Sequence, residues 1–151
     1  MLRKNSATYV NWITWLKDHD STAPPKIKSL SGWRTIGTSR YFFRSKWEAN
    51  YARWLQYQKN QHFIKDWLYE TQTFWFDKIK RGVRSYLPDF KIIKPDDSHF
   101  WVEVKGLMDP KSVTKIKRFA KYYPKELLIV VDKKWFAANS KKLKALIKNW
   151  E

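Results

Sequence analysis

The sequence predicts an α/β fold, a mixed β-sheet of four to five strands flanked by helices. Three observations predict it. Apolar residues recur at helical spacing in four segments. Two runs over residues 83–105, joined by a tight turn, read as a hairpin. Residues 127–131, Leu-Leu-Ile-Val-Val, form a short unbroken apolar run, the mark of a strand buried on both faces.

Taken in order, residues 5–18 read as an amphipathic helix, with Tyr9, Trp12, Ile13 and Leu16 on one side and Ser6 placed to cap it. Residues 19–32 read as a connector around Pro24 and Pro25. Residues 1–40 are thus expected to form a helical appendage and linker before a main domain over 41–151. A second helix is expected over 45–59, with Trp47, Tyr51, Trp54 and Leu55 as its apolar stripe. Residues 63–76, rich in Thr and aromatics, read as one or two strands. Residues 77–82 form a basic turn centred on Gly82. A strand over 83–94, interrupted at Pro88, then returns through a turn at 95–98 to a strand over 99–105. A third helix is expected over 109–123, stopped by Pro124, and a last helix over 140–150. Helices placed before, between and after strands stack as layers on a sheet.

Composition narrows the chemistry. Among 151 residues, 31 are Lys or Arg and 14 Asp or Glu, a net charge of +17. Such a domain repels itself and is best matched to a polyanion, so nucleic acid is the expected partner. No Cys is present, which excludes disulfides, thiolate zinc sites and a Cys nucleophile. The three His lie far apart, and four Gly cannot build a Walker loop or a dinucleotide fingerprint. No apolar run approaches the length of a membrane span, and residues 1–12 lack the apolar core of a secretory leader. A cytoplasmic protein away from membranes is therefore expected.

Two acidic residues stand apart from the predicted helix surfaces and turns. Asp89 lies at the kink after Pro88. Glu103 lies within Phe100-Trp-Val-Glu-Val-Lys-Gly106, where alternation puts Trp101, Glu103 and Lys105 on one face and Phe100, Val102 and Val104 on the other. Two carboxylates and a lysine on paired strands suit a hard divalent cation with a water beside it. Alone, Asp89 reads equally as a turn residue, and the Glu103 and Lys105 pair as a surface ion pair. Around them lie basic clusters, Lys78, Lys80, Arg81 and Arg84 before the Asp89 strand, and Lys111, Lys115 and Arg118 on the third helix. Both are placed to contact phosphates. Trp33, Tyr41 and Trp75 are candidates for stacking on bases.

Pro88-Asp89, with thirteen residues between Asp89 and Glu103-Val104-Lys105, resembles the PD-(D/E)xK nuclease superfamily. The stretches FRSKWEANYARWL, YETQTFWF, SYLPDFKI and FWVEVKGLM, followed by a helix ending in Tyr-Pro, resemble the phage endonuclease I family of Holliday-junction resolvases over residues 43–131. The resemblance implies a restriction-endonuclease-like sheet and a Mg²⁺- or Mn²⁺-dependent endonuclease acting on branched DNA as a homodimer. It implies Glu48, Asp89, Glu103 and Lys105 as the catalytic set, with Glu48, Asp89, Glu103 and the main chain of Val104 as metal ligands and Glu70 as a supporting acid. Glu48 also fits a helix-capping box with Ser45, and Glu70 an ordinary edge-strand position. A nuclease for transposon ends or unspecific nicking, and a non-cleaving DNA-binding protein, are the alternatives.

Overall fold

The computed structural model describes residues 30–151. The helix expected over 5–18 lies outside the described residues. The chain opens with an antiparallel hairpin of β1 (Gly32–Ile36) and β2 (Ser39–Phe43), followed by α1 (Lys46–Asn60). Then come β3 (Asp66–Tyr69), a small hairpin of β4 (Phe74–Trp75) and β5 (Ser85–Tyr86), β6 (Phe90–Ile93) and β7 (His99–Val104). The chain closes with α2 (Pro110–Tyr122), β8 (Leu128–Val131) and α3 (Lys133–Leu146).

The central sheet has four strands in the order β3, β6, β7, β8. The first three pair antiparallel, and β8 joins β7 in parallel after the α2 crossover. This is the mixed α/β sheet the sequence predicts. All four residues of β8 are buried, as its unbroken apolar run requires.

Two cores cover the two faces. Val102, Val104, Phe90 and Ile92 point into one, with Ala49, Ala52 and Leu55 of α1 and Trp135, Phe136 and Leu143 of α3. Trp101 and Val130 point into the other, with Ile116 and Phe119 of α2 and Phe74, Phe76 and Tyr86 from the small hairpin. The face assignment along β7 is as alternation requires. No helix among the described residues is long and apolar enough to cross a membrane.

Three features differ from the sequence expectation, and one expected division is located. A β-hairpin occupies residues 32–43, so the expected boundary between 40 and 41 falls inside β2. Its two-residue loop starts at Gly37 with φ +61°, a conformation that glycine adopts without strain. Ile36 and Phe43 anchor the hairpin in the α1 core. The segment 63–76, expected as one or two strands, forms two, β3 and β4, separated by Glu70 in a left-handed conformation at φ +45°. The strand expected over 83–94 divides at Leu87-Pro88, because its first half pairs with β4 and its second half with β3 and β7. The last helix starts at Lys133, not 140, and ends at Leu146, not 150. Asp132 caps it by accepting from the amides of Lys134 and Trp135 at 2.9 and 3.1 Å. Trp135 and Phe136 then bury its first turn against Tyr51 and Trp47.

Candidate active site

The register of the sheet brings three acidic residues into one row. β6 pairs with β7 so that Phe90 faces Val102, and with β3 so that Phe90 faces Tyr69. One step further along each strand, Asp89 lies between Glu103 and Glu70. The Glu70 amide donates to the Asp89 carbonyl at 2.8 Å, continuing the ladder. Neighbouring strands are about 4.8 Å apart, so the Asp89 and Glu103 carboxylates crowd one another.

Asp89 and Glu103 are both buried. The Val104 amide donates to Asp89 Oδ2 at 2.7 Å, and the Tyr86 hydroxyl donates to Glu103 Oε2 at 2.7 Å. Asp89 Oδ1 and Glu103 Oε1 receive no hydrogen bond from the described residues. Burial, then the charges of Glu103 and Glu48, push the Asp89 carboxyl well above its ordinary range. Burial also lifts Glu103, against the opposing pull of Tyr86, Lys105 and Lys115. Burial raises the Tyr86 hydroxyl above its ordinary range as well, so it stays a donor.

Lys105 follows β7 and is partly exposed. It makes no direct ion pair among the described residues, yet its charge favours the ionised forms of both Asp89 and Glu103. A Cβ on the next residue, Gly106, would lie 3.1 Å from the Trp47 ring, so this glycine lets the chain after Lys105 pass close over α1.

Glu48 enters from the first turn of α1. Its Oε1 accepts from the Ser45 hydroxyl at 3.1 Å, and its Oε2 accepts from the Arg44 amide at 3.0 Å and the Tyr69 hydroxyl at 2.9 Å. Ser45 in turn caps the Glu48 amide at 3.1 Å. The capping role is therefore present, with the carboxylate reaching the Arg44 amide in place of the Ser45 amide. The Glu48 charge is felt by Asp89 and Glu103, so it borders the row. Among the described residues, no group of three carboxylate or imidazole side chains converges to hold a metal ion. Asp89 and Glu103 form a pair, and Glu48 stands beside it, engaged by its own donors.

Glu70 has its Oε1 buried 2.6 Å from an Arg44 guanidinium nitrogen. That contact is not aligned as a hydrogen bond, and Oε1 has no hydrogen-bond partner among the described residues.

The basic clusters divide. Lys78, Lys80, Arg81 and Arg84 are all exposed on the loop between β4 and β5. Lys111 is exposed on α2, and Lys115 is half-buried with its charge felt by Glu103. Arg118 is engaged inside the protein, its guanidinium donating to the Val83 carbonyl. The β4–β5 hairpin thus joins an exposed basic loop to the acidic row through Tyr86. Tyr86 and Arg44 went unread in the sequence, because each acts through a partner distant in the chain. Trp33 and Trp75 are exposed, whereas Tyr41 packs on the α1 core.

The pair fits a hard divalent cation on its donor set. Mg²⁺ is commonly held by one or two carboxylates and completes its shell with water and phosphate oxygens. Among the described residues, no donor reaches one oxygen of Asp89 or one of Glu103, and a cation would offset the burial and the repulsion that lift the Asp89 carboxyl. Comparison with protein-family models, curated proteins and solved structures gave no match to this chain.

Proposed function

We propose that this chain is a divalent-metal-dependent DNA endonuclease of the PD-(D/E)xK type, hydrolysing phosphodiester bonds. One observation carries the reading. Asp89 and Glu103 oppose each other across adjacent strands, each with one oxygen fixed, beside Lys105 and in a chain of net charge +17. Asp89 and Glu103 would hold Mg²⁺ or Mn²⁺, beside the main chain of Val104 and with Glu48 at the border. A bound ion of this kind polarises a phosphate oxygen and makes a neighbouring water more acidic.

The chain's own residues do the positioning. Val104 and Tyr86 fix the two carboxylates. Lys105 orients the attacking water and stabilises charge developing on the phosphate. Lys78, Lys80, Arg81, Arg84 and Lys111 grip the DNA backbone on either side. The motif order over residues 43–131 supports a branched DNA substrate, cut by a homodimer whose two-fold axis matches a four-way junction.

The test is a substrate panel of supercoiled plasmid, linear duplex, single strand, flap and four-way junction, in Mg²⁺ and in EDTA. Cleavage in Mg²⁺ alone is expected. Asp89→Asn is expected to abolish it while keeping or tightening DNA binding in a gel shift, since a charge repelling phosphate is removed. Binding without cleavage of any substrate in Mg²⁺ or Mn²⁺ would leave a non-cleaving DNA-binding protein. A folded Asp89→Asn protein that still cleaves would remove Asp89 from the chemistry.

A further inference from the structure

The β1–β2 hairpin has one face in the core and one in solvent. Tyr41 and Phe43 turn inward, and alternation puts Trp33, Thr35, Arg40 and Phe42 outward. Trp33 is 59% exposed and Phe42 46%, unusual for rings this large. They face each other across the strands, ring centroids 5.6 Å apart and edge to face. Arg40 lies over the Trp33 ring at 5.0 Å.

Past β2 the chain bends toward α1, and Arg44 stands in that bend. Arg44 is 66% exposed and ends beside Glu70, in the acidic row. Residues 30–47 contain Arg34, Arg40, Arg44 and Lys46 and no Asp or Glu. The exposed aromatics therefore lie on a stretch whose own charges are all basic, with Arg34 paired to Glu151 and Arg44 reaching Glu70 at the candidate active site.

We propose that this outer face is a stacking platform for unpaired bases of a nucleic-acid strand. Trp33 and Phe42 take the bases, and Arg40 and Arg44 take the phosphates. Charge decides the occupant. An apolar protein surface gains nothing from the flanking arginines, whereas a single strand offers ring faces and phosphates together. The proposal rests on the nuclease reading and sharpens it, by favouring DNA that carries an unpaired segment next to the cut.

The experiment compares the full chain with the double variant Trp33→Ala/Phe42→Ala. Affinities for oligothymidylate, for a forked duplex and for a blunt duplex are measured in EDTA, so that binding is read without cleavage. Base–aromatic stacking of about 1–3 kcal/mol per base corresponds to a loss of roughly 5- to 150-fold per ring. The double variant removes two rings, so a loss of at least about 5-fold is expected for the single strand and the fork, with blunt-duplex affinity unchanged. Quenching of 2-aminopurine placed in the single strand is expected to disappear in the variant. Trp33→Phe is expected to restore part of the affinity, which separates stacking from a folding defect.

Equal single-strand affinity in the two proteins would overturn the proposal while leaving the nuclease reading intact. So would a change of the variant to a smaller oligomer in sedimentation, which would make the face a contact between copies. Absent nicking by the full chain, with the single-strand loss retained, would overturn the nuclease reading and keep the platform.

Discussion

Tyr86 shows how much of the site depends on one hydroxyl. Its ring is locked among Phe119 and its neighbours, and its hydroxyl donates to Glu103. Tyr86→Phe keeps the ring and removes the donor. A buried carboxylate oxygen then loses its partner, at a cost of about 1–3 kcal/mol. Outer hydrogen bonds to metal-holding groups also tune affinity, by roughly 10- to 100-fold. Tyr86→Phe is therefore expected to raise the Mg²⁺ concentration for half-maximal nicking, and to weaken Mn²⁺ binding in calorimetry, by a factor in that range. DNA binding in EDTA is expected to stay unchanged. An unaltered metal dependence would reduce the hydroxyl to a folding contact. Asp89, Glu103 and Lys105 were legible in the sequence, because strand alternation is strict and the connection is short. Tyr86 was not, because its pairing with Glu103 depends on the β4–β5 hairpin folding over the opposite face.

At the scale of elements, α2 separates two kinds of basic residue that sequence periodicity had grouped. Lys111 is exposed and free to meet a phosphate. Arg118 braces α2 to the β4–β5 hairpin through Val83. Lys111→Ala is expected to lower the slope of log affinity against log salt by about 0.9, one phosphate contact. Arg118→Ala is expected to change that slope less, and to speed trypsin cleavage after Lys78, Lys80, Arg81 or Arg84. A full unit of slope for Arg118, with unchanged proteolysis, would show that this arginine leaves Val83 for DNA. The same dependence on partners explains the misread elements. Lys133 and Lys134 look like loop residues until Asp132 caps them and Trp135 finds Tyr51. The β1–β2 hairpin had a signal in Gly37-Thr38 between alternating runs, but its aromatic outer face hides the usual contrast between apolar and polar.

For the whole molecule, the excess of positive charge raises the question of what ties the layers together. Glu151 draws on both β1 and α1. Its carboxylate accepts from Arg34 Nε and Nη2, each at 2.8 Å, and from Arg53 Nη1 at 2.9 Å. Its amide donates to Asn50 Oδ1 at 2.9 Å, and its carbonyl accepts from Asn50 Nδ2 at 2.7 Å. The hydrogen bonds from Arg34, opposed by partial burial and joined by those from Arg53, push its carboxyl down to about 2. A carboxylate depressed in the fold adds stability that is complete above its unfolded pKa of about 4.3 and disappears as pH falls through the folded value. The side chain is 34% exposed, so solvent screening limits the contribution to about 1 kcal/mol. Glu151→Gln is thus expected to cost about 1 kcal/mol in urea unfolding at neutral pH. The gap between the two proteins is expected to narrow below about pH 4 and to close near about pH 2. A gap independent of pH would mean that Glu151 acts through its main chain and Asn50 alone, and that the two arginines contribute shape without charge.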